Sequence, residues 1–300
     1  MKSIFQRLFA KKAGKAAPAY GNAATAPLHE DRAWDLIATE NSGKFSHLIS
    51  GSALHPGQRR DNNEDALLCL NAALGGAHAQ PFGLYAVADG MGGHRNGELA
   101  SEMAVRALGS HLMGKLYKSL FGPDPQPAQE SLRELMETAV QEAHRAVKKA
   151  APGGGCTLTA ALVVGGQMAI AHLGDSRAYA VYRDGRIEAL TTDHSLVKRL
   201  QEMGQLTEEE AAIHPQKSVL YRALGQGATA QADIFTSSLP SQGFLLICSD
   251  GLWGVLSEDD IQRIVNSTSS PFLACHHLVE AANAAGGPDN ISVVLVRAVS

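Results

Sequence analysis

The 300-residue chain has a hydrophobic share of 45% and a charged share of 19%, which is ordinary for a globular protein with one sizeable core. Its 26 basic and 30 acidic side chains give a net charge of −4, which excludes the basic field that draws proteins to nucleic acid. No run approaches the roughly 20 apolar residues of a membrane-spanning helix. We expect a cytoplasmic monomer with no nucleic-acid partner and no transmembrane segment.

Residues 1–44 differ in composition from the rest of the chain. The first fifteen are basic, and residues 13–26 are mostly Ala, Gly, Pro, Asn and Thr without periodicity. This composition predicts a flexible basic tail and an Ala/Pro linker. The alternative is a short helix, with Ile4, Phe5, Leu8 and Phe9 on one face, that rests on an anionic membrane surface or a partner. A short helix is also predicted at 30–39, and the folded domain is assigned to 45–300.

Within that domain, apolar runs bounded by Gly, Pro and Asn predict strands, and apolar residues at helical spacing predict helices. The predicted strands are 45–54, 66–70, 82–88, 157–164, 167–173, 178–182, 186–190, 232–236, 243–248 and 291–296. The predicted helices are 98–116, 130–150, 194–203, 207–213, 257–266 and 271–285. The four strands from 157 to 190 are interpreted as a meander with turns at Gly165-Gly166 and Asp184-Gly185. Because strands and helices do not alternate, the order favours an α+β fold with largely antiparallel sheets.

Some residues able to carry chemistry are more simply structural. The four cysteines lie far apart with no CxxC spacing, so we expect buried free thiols rather than a zinc site or disulfides; they are Cys69, Cys156, Cys248 and Cys275. His172 ends an apolar strand and is interpreted as a core histidine. Trp253 is interpreted as core packing rather than as a surface that stacks on substrate.

Acidic residues recur at the ends of predicted strands. They are Asp89, Asp175, Asp250 and Asp289, each next to a glycine or a Gly-Pro turn. Each one alone is explained by a turn, because Asp bonds to nearby backbone and Gly takes positive φ. Together they would repel one another unless cations neutralise them. Oxygen-only ligands suit Mg²⁺ or Mn²⁺.

A further cluster follows at RDNNED, residues 60–65. It places Arg60 shortly before Glu64 and Asp65. Arginine presents a fork of donors that suits phosphate, although a surface ion pair with its acidic neighbours is the simpler alternative. An anion-binding arginine beside a metal-binding cluster indicates phosphoryl transfer or hydrolysis. The sequence contains neither a phosphate-binding GxxxxGK[ST] loop nor kinase signatures, which disfavours nucleotide-driven transfer.

Seven short motifs now identify a family. The chain resembles the metal-dependent type-2C (PPM) serine/threonine protein phosphatases, bacterial branch, from about residue 45 to 299. The motifs are RDNNED at 60–65, ADGMGGH at 88–94, GCTLTA at 155–160, HLGDSRAY at 172–179, TTDHSLV at 191–197, CSDGLW at 248–253 and GGPDNISV at 286–293. The resemblance implies a four-layer α-β-β-α sandwich of two largely antiparallel sheets flanked by helix pairs.

The resemblance also implies unequal roles for the carboxylates. Asp89 would bridge two Mn²⁺ or Mg²⁺ ions, and Asp250 and Asp289 would complete the protein ligands of the first. The remaining implied ligands are the Gly90 carbonyl for the second ion, Glu64 and Asp65 mainly through water, and Asp175 for a weaker third ion. The ions would share a water and convert it to hydroxide, which attacks the phosphorus of phosphoserine or phosphothreonine in line. Arg60 would bind the substrate phosphate.

Two features of the implied site stay open in the sequence. Some relatives carry a histidine directly after the bridging Asp-Gly, but this chain has Met91 there. His94 is then a candidate general acid, with a structural role for it, or a metal-bound water as proton donor, as the alternatives. Residues 194–224 correspond to a mobile flap beside the active site, and flap motion that controls substrate access is a hypothesis.

Expected partners are phosphorylated proteins, including a bacterial Ser/Thr kinase and its substrates. One alternative is a catalytically inactive relative that binds phosphoproteins, but Asp89, Asp250 and Asp289 are all present. Another is a phosphatase acting on a small anti-sigma antagonist. Such proteins usually carry sensor domains, for which the short segment before residue 45 leaves no room.

Overall fold

The strands of the computed structural model form two antiparallel sheets. Residues 47–72, 81–92, 95–122, 130–240 and 242–299 are described. In chain order the strands are β1 (His47–His55), β2 (Asp65–Ala72), β3 (Phe82–Met91), β4 (Gly155–Cys156), β5 (Leu158–Val164), β6 (Gln167–Leu173), β7 (Arg177–Tyr182), β8 (Ile187–Ala189), β9 (Asp233–Ser238), β10 (Gly243–Cys248) and β11 (Ile291–Val299). One sheet has the order β1-β11-β10-β7-β8, and the other β2-β3-β5-β6-β9 with β4 paired to β3.

Seven helices connect these strands within the described residues. They are α1 (Arg95–Phe121), α2 (Leu132–Ala150), α3 (Leu196–Glu202), α4 (Glu208–Ala212), α5 (Asp250–Trp253), α6 (Glu258–Asn266) and α7 (Pro271–Ala284). None of them combines the length and the apolar character that a membrane crossing requires. The predicted tail and linker and the predicted helix at 30–39 lie outside the described residues.

Three apolar cores stack these elements into four layers. Between the sheets, Tyr85 and Val87 of β3 face Leu245 and Ile247 of β10 in one buried cluster. On the other side of the second sheet, α1 and α2 pack against β3 and β5. On the other side of the first sheet, α6 and α7 pack against β10 and β11. The α+β class and the α-β-β-α sandwich are therefore confirmed.

The predicted meander from 157 to 190 is wrong at its centre. Strands β5 and β6 form a hairpin through Gly165-Gly166, and β7 and β8 form another through Asp184-Gly185. However, β6 pairs with β9, and β7 pairs with β10, so β6 and β7 belong to different sheets. The short connection at 174–176 crosses from one sheet to the other. Sequence pattern cannot distinguish this from a hairpin, because both need a short turn between apolar strands.

Helix ends follow the local chemistry of the sequence. Ser131 opens α2 with a capping box to Glu134, and Thr207 opens α4 in the same way with Glu210. In contrast, α5 is a single turn that the sequence analysis missed, because four residues are too few to show a helical repeat. This short helix places Asp250 at its first position.

The structural interpretations of the histidine, tryptophan and cysteine residues can now be compared with the fold. His172 is buried, and its ring nitrogens lie 2.9 Å from Thr159 Oγ1 and 3.0 Å from the Thr192 carbonyl. All four cysteines are free, and Cys156, Cys248 and Cys275 are buried. The core position of His172 and the free state of all four thiols are therefore confirmed, whereas Cys69 is only partly buried and not buried as predicted. Trp253 is partly buried against the apolar core between the first sheet and its helices, as the core interpretation predicts. It also contacts the 174–176 connection.

The candidate flap, residues 194–224, lies between β8 and β9 and includes α3 and α4. Both of its ends are held by backbone hydrogen bonds: His194 donates to the Gly174 carbonyl at 2.7 Å, and Leu224 and Cys156 bond to each other in both directions. Its function as a flap stays a prediction.

Candidate metal centre

Four strand ends bring the predicted aspartates to one end of the sandwich. Asp65 begins β2 and pairs directly with Asp89 of β3 in the antiparallel register. Asp250 follows β10, and Asp289 lies two residues before the strand β11 that pairs with β10. Asp175 lies in the connection between β6 and β7. The topology therefore gathers five carboxylates that are far apart in sequence.

Their mutual repulsion is visible in the pKa of Asp89. Burial raises this pKa well above its ordinary value, and the charges of the other four aspartates raise it further. Burial likewise raises the pKa of Asp65, Asp175 and Asp250, with Asp250 repelled most by Asp289. At Asp250, interaction with the Asp89 side chain works against this rise in pKa. A cation bound among these groups would offset their repulsion.

Two serines hold the carboxylate of Asp65. Ser249 and Ser292 donate hydrogen bonds to its Oδ2 at 2.7 and 2.6 Å, and these bonds lower its pKa against the larger effect of burial. Its other oxygen, Oδ1, is buried without a hydrogen-bond partner among the described residues. One carboxylate oxygen is thus fixed by the fold, and the other is available to a ligand.

Arg60 and Asp289 form an ion pair across the site. Their Nη2 and Oδ2 atoms are 2.6 Å apart, with 55% and 34% of the two side chains exposed. The contact raises the pKa of Arg60, so the guanidinium stays charged. The simpler alternative from the sequence, an ion pair of Arg60 with an acidic neighbour in its own motif, is therefore wrong in its partner, because Asp289 lies 229 residues away. The same contact holds the arginine beside the carboxylates, and its role in binding phosphate stays a prediction.

The backbones of Glu64 and Gly90 are in direct contact. The Gly90 N–H donates to the Glu64 carbonyl at 3.1 Å, which also accepts from Ser101 Oγ at 2.6 Å. A Cβ on Gly90 would lie 2.2 Å from the Gly97 carbonyl oxygen and 2.5 Å from that of Glu64. Glycine is therefore required here by close backbone approach. The roles of the Gly90 carbonyl and the Glu64 carboxylate as ligands stay predictions.

Gly90→Ala is expected to lower the free energy of unfolding by about 2 kcal/mol, because the new methyl overlaps backbone atoms that cannot rotate away. Gly166→Ala is the matched control, since a Cβ there meets nothing within 4 Å. Urea unfolding of both variants without metal measures the difference. Equal stabilities would show that the backbone around Gly90 yields easily.

Trp253 holds the backbone of the connection that carries Asp175, and Arg177 packs on Trp253. Trp253 Nε1 donates to the Asp175 carbonyl at 3.0 Å, and the Arg177 guanidinium lies 3.5 Å from the centre of the Trp253 ring. Arg177 in turn makes a bidentate ion pair with Asp193, at 2.9 and 2.7 Å. The carboxylate of Asp175 is 92% hidden and is repelled most by Asp250. Its backbone is thus fixed independently of any ion.

The donors at this centre fit a hard divalent cation. All the converging side chains offer oxygen, and both Asp65 Oδ1 and Asp250 Oδ1 are buried without hydrogen-bond partners. Within the described ranges, no group of three or more His, Cys, Asp and Glu side chains already has the arrangement of a metal site. Arg60 engages Asp289 Oδ2, so this oxygen reaches a cation only if the ion pair opens.

Several polar residues at the centre were not singled out from the sequence. Asn290 accepts from the Glu64 N–H at 2.7 Å and donates to the carbonyls of Pro56 and Asn62, which ties the 56–64 segment to the start of β11. Ser249 and Ser292 hold Asp65. All three lie within the quoted motifs, and their closeness in sequence to a strand-end aspartate was the available signal. His94 lies outside the described residues, so its role as a general acid stays a prediction.

Comparison with known proteins agrees with this architecture. The family described as Protein phosphatase 2C matches residues 51–291. Protein phosphatase PhpP of Streptococcus pneumoniae is 38% identical over 241 residues, which cover 80% of this chain and 93% of PhpP. The solved serine/threonine phosphatase of S. agalactiae is 35% identical with a TM-score of 0.69, over 83% of this chain and 98% of that one. The catalytic domain of the phosphatase PstP, solved in complex with two manganese ions, is 30% identical with a TM-score of 0.68, over 85% of this chain and 100% of that one. With the family match spanning most of the sequence, the chain belongs to the protein phosphatase 2C family.

Proposed function

We propose that this family member removes phosphate from phosphoserine and phosphothreonine in other proteins, with two Mn²⁺ or Mg²⁺ ions bound among its strand-end aspartates. The observation that carries the proposal is the gathering of five aspartates with raised pKa or ion-paired carboxyls beside one arginine. The relatives named as serine/threonine phosphatases, and the PstP domain with its two manganese ions, support it.

In this proposal the ligands have the unequal roles that the family resemblance implies. Asp89, which the other four aspartates repel, would be shared by both ions, while Asp250 and Asp289 would hold the first and the Gly90 carbonyl would hold the second. Asp65 and Glu64 act mainly through water, and Asp175 binds a weaker third ion. The bound ions would lower the pKa of a shared water and neutralise the phosphoryl oxygens.

The remaining residues would orient the substrate. Arg60 is charged and stands beside the carboxylates, and it exchanges its contact with Asp289 for the phosphate oxygens. The serines beneath Asp65 keep one of its oxygens fixed, so that the other stays directed at the ions or their waters. A hydrolase of this kind would reverse the work of a Ser/Thr kinase.

Phosphate release from phosphothreonine, phosphoserine and phosphotyrosine peptides tests the proposal. We expect release from the first two with Mn²⁺, and its loss on addition of a chelator and return with excess Mn²⁺. Activity that survives exhaustive chelation would contradict the metal-dependent mechanism. Failure to cleave any phosphopeptide, with Mn²⁺ bound, would contradict phosphatase function and favour a binding role.

Arg60→Ala is expected to lower kcat/KM for a phosphopeptide by about 100-fold, because the phosphate loses a charged bidentate donor worth about 3 kcal/mol. The melting temperature should change little, since an exposed ion pair stabilises by only about 1 kcal/mol or less. Arg60→Lys should recover part of the loss, because it keeps the charge without the fork. An unchanged kcat/KM in Arg60→Ala would remove this residue from the site.

A further inference from the structure

Thr157 lies where the ladder between β3 and the β4–β5 segment is interrupted. On both sides of it the register is the same, with Val87 opposite Thr159 and Gly90 opposite Cys156. Thr157 therefore stands opposite Asp89. Its N–H donates to the Asp89 carbonyl at 2.8 Å, as a regular ladder requires. The returning bond differs, because the Asp89 N–H donates to the Thr157 hydroxyl at 2.9 Å.

The same hydroxyl reaches the connection that carries Asp175. Thr157 Oγ1 lies 2.6 Å from Ser176 Oγ, and both side chains are buried. Since the Thr157 oxygen already accepts from Asp89, its own proton is available for Ser176. Two residues further on, Thr159 Oγ1 donates to the Ser176 carbonyl at 2.7 Å. Two threonines from one strand segment thus hold Ser176 by its side chain and by its backbone.

The methyl group of Thr157 contacts the other side of Asp175. Gly174 has a φ of +100°, and a Cβ there would lie 2.6 Å from Thr157 Cγ2. Glycine is needed both for this left-handed conformation and for the close approach. Thr157 therefore touches the backbone of Asp89 and the residues on both sides of Asp175, without touching either carboxylate in the described contacts.

We propose that Thr157 is a positioning residue that fixes the separation of the Asp89 and Asp175 carboxylates for cation binding. This inference rests on the proposed function, because it takes both aspartates as ligands. Two repelling carboxylates, one on β3 and one in the connection after β6, move apart unless the fold restrains them, and the Thr157 hydroxyl links the Asp89 backbone to the Ser176 side chain next to Asp175. Ser176 is its partner in this link.

Titration calorimetry with Mn²⁺ on the full chain tests the proposal independently of turnover. Thr157→Val removes the hydroxyl and keeps the shape, and we expect Mn²⁺ binding weakened by about tenfold, the size usual for residues that orient metal ligands. Thr157→Ser keeps the hydroxyl and should stay within about threefold of the unmodified chain. Thr191→Val is the matched control, because the Thr191 hydroxyl is also buried and accepts a strand N–H, from Ala178 at 3.1 Å.

Each result decides the matter. Unchanged Mn²⁺ affinity in Thr157→Val, equal losses in Thr157→Ser and Thr157→Val, or an equal loss in Thr191→Val would each overturn the positioning role. If Thr157→Val does not fold by circular dichroism, Ser176→Ala takes its place, and an unchanged affinity there overturns the role. Mn²⁺ binding by the unmodified chain without phosphate release contradicts the proposed function alone. Absence of Mn²⁺ binding contradicts both.

Discussion

Asp250→Asn is expected to lower kcat/KM for a phosphothreonine peptide by about a thousandfold or more, which corresponds to about 4 kcal/mol of transition-state stabilisation. The amide has nearly the shape of the carboxylate but lacks the charge that binds a cation. Asp250 is half-buried and has one buried oxygen without a hydrogen-bond partner among the described residues, so no neighbouring residue replaces its charge. Steady-state kinetics at saturating Mn²⁺ measure the loss.

The control for this variant is Asp184→Asn. Asp184 also precedes a glycine at the end of a strand, but it is exposed in the β7–β8 turn and bonds only to Arg186 among the described contacts. We expect its kcat/KM to stay within about twofold of the unmodified chain, because surface changes away from a site have small effects. A thousandfold loss in both variants would mean that Asp250 acts through folding, and a small loss in Asp250→Asn would remove it from the ligand set.

The comparison of Asp184 and Asp250 also shows what a sequence can and cannot predict. Both are candidate turn residues after apolar strands, but only Asp184 lies in a hairpin turn, whereas Asp250 begins the short helix α5. Only the pairing of β10 with β11 and β7 places Asp250 at the centre and leaves Asp184 at a distant hairpin. Strand pairing between distant segments depends on three-dimensional packing, which a period-two pattern does not encode.

The wrong meander has the same origin. Gly165-Gly166 and Asp184-Gly185 were correctly predicted as hairpin turns, since their strands are neighbours in both sequence and space. The connection at 174–176 has equivalent composition but joins different sheets. Its distinguishing contacts are Thr157 and Thr159 on one side and Trp253 on the other, and none of these is adjacent in sequence. Local composition therefore predicts that the chain turns, but not where it goes.

At the site, the charged residues are predictable from the sequence, but the residues that hold them in position are not. Four aspartates are predictable because charge at strand ends is unusual enough to need an explanation, and Arg60 and Asp65 because they stand together in the charged RDNNED motif. Ser249, Ser292 and Thr157 carry no charge and occur in strands of many proteins, so their residue types give no signal. Their importance follows from burial next to a carboxylate, which is known only once the fold is known.

The repulsion among the carboxylates also leads us to a prediction about the stability of the protein without metal. Asp89→Asn is expected to raise the melting temperature of the chelated protein at pH 8 by about 4–8 °C, corresponding to about 2 kcal/mol. The pKa of Asp89 is raised in the folded state, so its contribution to stability is fully present only below its unfolded pKa near 4 and is lost as pH rises towards the folded pKa. The asparagine variant does not titrate and avoids this loss.

The pH dependence of the difference in melting temperature tests this prediction more sharply than the difference at pH 8 alone. The melting temperatures of the variant and the unmodified chain, both chelated, should lie closest at pH 5 and diverge steadily to pH 8. Comparing the two at each pH cancels the opposite contribution of His172, whose pKa is lowered by burial. Excess Mn²⁺ should reverse the order, because cation binding stabilises the unmodified chain in proportion to its affinity and the variant has lost a bridging ligand. A difference that is independent of pH would mean that the aspartates do not destabilise one another. A variant that gains as much from Mn²⁺ as the unmodified chain would mean that Asp89 does not bind the ions.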